Sequence, residues 1–295
     1  MRKLYGVVVP PVCPMTEDQE VDYDSLGKLC EFLIQKGAHA LLPNGSTGEM
    51  ALLSVAERKK VLSCTLDAVG GRIPVFSMVG AAATADTVEL ARHAESCGAD
   101  GIGVVTPYYY RLEEAALEEH FVRVAGSVSR DFPVYLYAIP QLAGNDITPG
   151  LAERITARCP NVIGIKYSYP DMERIMGFQT VNGGRFSVLT GVETLFYPAL
   201  CTGADGTVSS AAGVVPEQFA AIYGAFLKGD LQAAKSLQFK VNSLLEITAR
   251  PNGAALYKIL LRHLGVIACS AVRAPMLAPA RREEEAFLSK TLPLL

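Results

Sequence analysis

CGADGIGVV, residues 97–105, reads as the end of a helix, a Gly-Ala turn and then a short apolar strand. The same order of features occurs in KGAHALL from Lys36 and in TGADGTVSS from Thr202. The recurrences fall roughly 60 and 105 residues from one another, which suits two and four strand–helix units of about 26–30 residues. A repeated helix-to-strand unit marks a parallel α/β fold, because parallel neighbours need a crossover helix between them.

Extending the pattern along the chain gives eight candidate strands: 6–10, 39–44, 73–78, 101–106, 133–138, 162–167, 186–191 and 206–210. Their near-continuous apolar character predicts a sheet covered on both faces. An open doubly wound sheet is one solution, but eight units in one chain favour a closed (β/α)8 barrel. Helix limits are legible between the strands. Tyr23, Leu26, Leu29, Cys30, Leu33 and Ile34 form one apolar stripe that stops at Gly37. Ser54 and Glu57 fit a capping box, and Thr84 with Asp86, Thr148, Asp171 and Pro216 are further start signals. After the eighth strand some ~85 residues remain, more than the one helix that completes a barrel. The expected organisation is a barrel over 1–229 and a helical extension over 230–295, packed as one unit.

Of 295 residues, 50% are hydrophobic, and the net charge is -3. No basic excess or Lys/Arg run is present to track phosphates, so nucleic acid and anionic lipid are not expected partners. The seven cysteines, at 13, 30, 64, 97, 159, 201 and 269, are odd in number and form no C-x-x-C pair, as reduced thiols in a cytosolic protein would be. The four histidines show no metal-ligand spacing, and no metal is expected. The N-terminal apolar run is cut short by prolines, and no stretch reaches the ~18 apolar residues of a membrane helix; a cytoplasmic location is expected.

A barrel gathers its chemistry at the C-terminal ends of its strands. The second ends in PNGSTGE, residues 43–49, where glycines flank Ser46 and Thr47 and let hydroxyls and backbone N–H groups meet an anionic or carbonyl oxygen. The bland reading is a tight turn; the absence of a lysine after the glycines argues against a P-loop. The fourth ends in TPYYYR, 106–111, either aromatic packing at a subunit contact or a phenol for proton relay. On the fifth, Tyr135 and Tyr137 share a face, and Tyr137 lies nearer the C-terminal end. The sixth carries Lys166 at the end of the alternation Val162, Gly164, Lys166. An ordinary strand-end lysine snorkels to solvent. An inward-facing amine in low-dielectric surroundings is instead disposed to attack a carbonyl. These positions together suit Schiff-base chemistry on a 2-oxo acid, in which the protonated imine is an electron sink and no separate cofactor is needed.

GSTGE at 45–49, TPYYY at 106–110, VYLYAIP at 134–140, GIKYS at 164–168, LTG at 189–191, GADGTVSS at 203–210 and ARPNGAALYKILLRHLG at 249–265 resemble, in order, the dihydrodipicolinate synthase / N-acetylneuraminate lyase family of class I, pyruvate-dependent aldolases. The resemblance covers about residues 5–280. It implies a homotetrameric barrel, a dimer of dimers, in which Lys166 forms an imine with pyruvate or another 2-oxo acid that then reacts with an aldehyde. It further implies that Tyr137 is the relay phenol, that Ser46 and Thr47 bind the carboxylate with Thr47 in the relay, and that Tyr109 is lent to a neighbouring subunit. Gly191 and Val208 match backbone positions lining the pyruvate pocket.

Departures from the family pattern bear on the second substrate. Leu142 stands where dihydrodipicolinate synthases carry an arginine for a substrate carboxylate, and its loss removes a bidentate donor. Sialic-acid lyases and sugar-acid aldolases have an apolar residue there. Glu193 retains half of the acidic pair with which sialate lyases hold the sugar, while Thr194 does not. Ala138 and Tyr167 replace residues common in the family and are expected to redraw the distal pocket. The implied reaction is cleavage or formation of a 2-keto-3-deoxy sugar acid or sialic-acid-like compound. The alternatives are a dihydrodipicolinate synthase with altered recognition, an imine-based dehydratase, or a non-catalytic barrel that binds a keto acid.

Overall fold

The computed structural model describes residues 1–248 and 253–295; the first four residues of the 249–265 motif lie outside the described residues. The strands are β1 (Gly6–Val9), β2 (Ala40–Leu41), β3 (Phe76–Met78), β4 (Gly101–Val105), β5 (Val134–Ala138), β6 (Val162–Tyr167), β7 (Ser187–Thr190) and β8 (Gly206–Val208). All eight predicted strands are present. They follow the order β2-β1-β8-β7-β6-β5-β4-β3, with helices between successive strands, which is the (β/α)8 TIM-barrel architecture.

The chain divides into two compact units, one of 1–6 and 74–208, the other of 7–73 and 209–295. The first contains β3 to β8 in parallel register with their covering helices. Its strands are buried along their whole length, as two-sided cover requires. The register shifts once, between Val134 and Tyr135, and then runs Tyr135 to Gly164 and Tyr137 to Lys166. Gly164 is required there: a Cβ would lie 2.4 Å from Cε1 of Tyr135. The Tyr135 ring packs edge-on against Phe76, and its hydroxyl accepts the Leu4 N–H at 2.9 Å. Burial pushes this phenol up to about 12.

The second unit contains the parallel pair β1 and β2. β2 is shorter than the predicted 39–44. Leu42 still donates to Val9 O at 2.8 Å, but Pro43 has no N–H to offer and Asn44 takes φ +63, which turns the chain away. The helix Tyr23–Gln35 buries Leu26, Leu29, Cys30 and Leu33, with Gly37 at φ +90 just beyond it. Ser54 and Glu57 form the predicted capping box. The C-terminal stretch from Leu231 onward supplies helices Leu231–Thr248, Gly253–His263 and Arg281–Thr291.

Thr148 and Asp171 cap their helices through their side chains, and Pro216 opens its helix as expected. Thr84 opens its helix with Asp86 in the first turn, as expected, but it is not the capping residue. The N-cap is Ala83, and the turn is closed by Thr87, whose hydroxyl accepts Ala81 N–H and donates to Ala83 O. All seven cysteines are free thiols, but only 13, 30 and 159 are buried; Cys201 is exposed. No helix among the described residues is long and apolar enough to cross a membrane.

Candidate active site

Lys166 lies on β6 directly beside Tyr137 on β5 and Leu189 on β7. It is 8% exposed and Tyr137 1%. The lysine Nζ stands 4.0 Å from the centroid of the Tyr137 ring, so the amine is held over an aromatic face rather than extended into water. The snorkelling alternative is therefore not what the side chain does.

Gly191, just beyond β7, completes this cluster. Its N–H donates to Tyr167 O at 2.7 Å. A Cβ on it would fall 1.9 Å from Ser168 Oγ and 3.0 Å from Lys166 Cε. The glycine is thus the space that lets the lysine stem and a buried serine hydroxyl lie together. Ser168 follows Tyr167 at the end of the GIKYS motif and was not singled out from the sequence. Its backbone is fixed on both sides: its N–H donates to Ala138 O, and its carbonyl accepts the Gln141 amide at 2.7 Å. Val208, at the end of β8, is buried.

Tyr167 does not reshape this pocket. It alternates with Lys166 along the strand, and its ring packs against Phe178 at 5.2 Å, beneath the helix Met172–Gln179. Burial first, then the nearby Asp146 carboxylate, pushes its phenol up to about 12. The residue is part of the strand–helix core, and the expectation that it redraws the distal pocket is corrected.

Tyr109 is 86% exposed and has φ +83, a left-handed backbone that an aromatic residue seldom adopts. Its ring meets Tyr110 edge-on at 5.0 Å. The loop is held by Asn145, a buried residue with no sequence signal beyond its type. Its Nδ2 donates to Pro107 O and Tyr110 O, and its Oδ1 accepts Leu112 N–H, all at 2.8 Å. Leu142, on the short helix Pro140–Ala143, is 68% exposed. Glu193 begins the turn Glu193–Leu195 and is half-buried.

In the other unit, Ser46 and Thr47 open the 3-10 turn Ser46–Gly48, both half-buried. Thr47 Oγ1 lies 2.6 Å from Ser210 Oγ. Ser210 is the last residue of the GADGTVSS motif, and this hydroxyl pair joins two motifs far apart in sequence. Gly48 packs close to the backbone, with a Cβ there falling 3.2 Å from Pro11 O. No group of three or more His, Cys, Asp or Glu side chains that could hold a metal is found among the described residues.

The profile of the dihydrodipicolinate synthetase family matches residues 3–293. The 4-hydroxy-tetrahydrodipicolinate synthase of Aquifex aeolicus is 36% identical over 242 residues, covering 82% of this chain and 81% of the relative. A DapA-like lyase of Halobacterium salinarum, itself uncharacterized, is 37% identical over 238 residues, 81% of this chain and 77% of the relative. Among solved structures, dihydrodipicolinate synthase from Aquifex aeolicus superposes with a TM-score of 0.93 at 32% identity, covering 98% of both chains. YagE, an Escherichia coli K12 prophage protein of the same family crystallised with pyruvate, gives a TM-score of 0.93 at 28% identity, again over 98% of both. On the length and level of these matches the chain belongs to the dihydrodipicolinate synthetase family and is a lyase, a pyruvate-dependent class I aldolase.

Proposed function

We propose that Lys166 is the imine-forming nucleophile toward pyruvate or another 2-oxo acid, with Tyr137 as its proton-relay phenol. The observation that carries this reading is the buried Lys166 amine 4.0 Å from the Tyr137 ring centroid, with its stem packed where only a glycine fits. The neutral amine attacks C2 of the keto acid, and the carbinolamine loses its oxygen as water after proton transfer. The protonated imine withdraws electrons from C3. Loss of a C3 proton gives an enamine that adds to an aldehyde carbonyl; cleavage runs the same steps backward. By the motif match, Ser46 and Thr47 supply hydroxyls for the substrate carboxylate, and Thr47 extends the relay. The covalent imine serves in place of a separate cofactor. A homotetramer in the cytoplasm, with Tyr109 lent between subunits, belongs to the same proposal.

For the second substrate, a 2-keto-3-deoxy sugar acid or sialic-acid-like compound is favoured by Leu142, an apolar side chain where an arginine would grip a carboxylate. The second reading is 4-hydroxy-tetrahydrodipicolinate synthesis, favoured by the relatives that bear this name. Borohydride reduction in the presence of pyruvate, followed by peptide mass mapping, tests the chemistry: a reduced pyruvyl adduct is expected on Lys166, and its absence overturns the imine reading. A turnover panel separates the substrates. Faster cleavage of sugar acids than condensation with aspartate semialdehyde is expected, and the reverse order selects the second reading.

A further inference from the structure

Two residues past Thr47 the chain leaves the hydroxyl turn through Glu49, a non-glycine residue at φ 59 and ψ 32. Such a conformation persists only where the surroundings over-determine it. Here they do. Glu49 is buried, and both its carboxylate oxygens are engaged: Oε1 with the ammonium of Lys258, Oε2 with the Arg273 N–H at 2.8 Å. Lys258, in the helix Gly253–His263, is wholly buried and also donates to Ala271 O at 2.8 Å. The Arg273 guanidinium donates to Gln19 O, Leu52 O and the Glu57 carboxylate. Two acids and two bases thus form a charge-balanced knot behind the GSTGE turn.

A buried ion pair is a poor way to gain stability, since an apolar pair of similar volume does as well or better. What this pair does supply is direction. It fixes the backbone angle of the residue that ends the Ser46–Gly48 turn, while Glu49 N–H closes that turn on Ser46 O at 3.1 Å. We propose that Glu49 and Lys258 are positioning residues, a buried pair that sets the turn so that the Thr47 hydroxyl meets the carboxylate of the bound 2-oxo acid. This inference rests on the role proposed above for Thr47 and adds to it a device reaching from the C-terminal helices.

The test is a double-mutant cycle read by trapping. The pyruvate concentration giving half-maximal borohydride adduct on Lys166 is measured for the wild type, Lys258→Met, Thr47→Val and the two combined. If Lys258 acts through Thr47, each single variant raises that concentration by about 10-fold or more, within the ~10²-fold that a misplaced group costs. The combined variant then matches Thr47→Val within about 2-fold, because the pathway is already broken. Multiplying effects, or unchanged trapping in a folded Lys258→Met, overturn the proposal. Should Lys258→Met not fold, Glu49→Gln, which keeps the side-chain shape and removes the charge, carries the same comparison. If neither folds, the pair is structural and the proposal fails. No adduct in the wild type would instead refute the imine reading itself, a result distinct from wild-type trapping with multiplying effects.

Discussion

Replacing Gly191 by alanine puts one methyl group where the structure has no room for it. The new Cβ would lie 1.9 Å from Ser168 Oγ, 2.9 Å from Ser168 Cβ and 3.0 Å from Lys166 Cε. The serine hydroxyl can rotate away, but its Cβ cannot, because Ser168 is tied through its N–H to Ala138 O at 2.9 Å. Gly191 cannot retreat cheaply either, since its own N–H is bound to Tyr167 O. Relief must come from backbone displacement or from the lysine stem. Overpacking of this kind costs about 1–3 kcal/mol, or a Tm roughly 2–6 °C lower for a chain of this size. The second effect falls on chemistry: a nucleophile displaced by ~1 Å loses about 10²-fold in rate. Thermal unfolding and borohydride trapping with pyruvate read the two separately. Adding Ser168→Gly removes the two nearest atoms and leaves the 3.0 Å contact with Lys166. Most of the lost Tm is then expected back, with trapping only partly restored. A Gly191→Ala protein with wild-type Tm and wild-type trapping would refute the reasoning.

Lys166→Ala is expected to abolish the adduct, whereas Tyr137→Phe keeps some adduct and slows turnover by about 10²–10⁴-fold, measured by mass spectrometry and steady-state assay. His120 gives a pH dependence of stability. Burial lowers its pKa from 6.5 to about 4, so the unfolded chain binds the extra proton between those values. Its contribution is complete above pH 6.5 and is lost as pH falls toward 4, to a total of ~3 kcal/mol. Urea midpoints at pH 7 and pH 4.5 should differ less in His120→Gln than in the wild type. Removing the capping-box hydroxyl by Ser54→Ala should cost about 1 kcal/mol, read as a lower urea midpoint with unchanged trapping.

What the sequence made legible was set by periodicity and chain punctuation. Strand β6 follows its predicted limits, and Lys166 and Tyr137 fall side by side because parallel strands bring equivalent ends together. Tyr167 was misread because strand alternation, not adjacency to the lysine, decides its face. β2 shrank to two residues because Pro43 lacks a donor, a local fact outweighed in the pattern by apolar neighbours. Thr84 marks the helix start as expected, whereas the closing of that turn by the Thr87 hydroxyl follows from turn geometry that residue type does not reveal. Glu49 and Lys258, 209 residues apart, could not be paired from spacing, because local periodicity carries no contact information over such a distance. Asn145 is invisible for the same reason.

The pairing of β5 with β6 stacks two tyrosine–partner layers, Tyr135 against Gly164 and Tyr137 against Lys166. The same exchange made in each layer asks different questions. Tyr135→Phe deletes one hydroxyl that accepts a backbone N–H, a loss of about 1 kcal/mol that registers in stability alone. Two residues on, the identical deletion is expected to register in rate. Two residues, about 6.6 Å along one strand at 3.3 Å per residue, therefore separate a layer expected to answer in stability from one expected to answer in rate. The loops beyond the strand ends can differ without disturbing either layer.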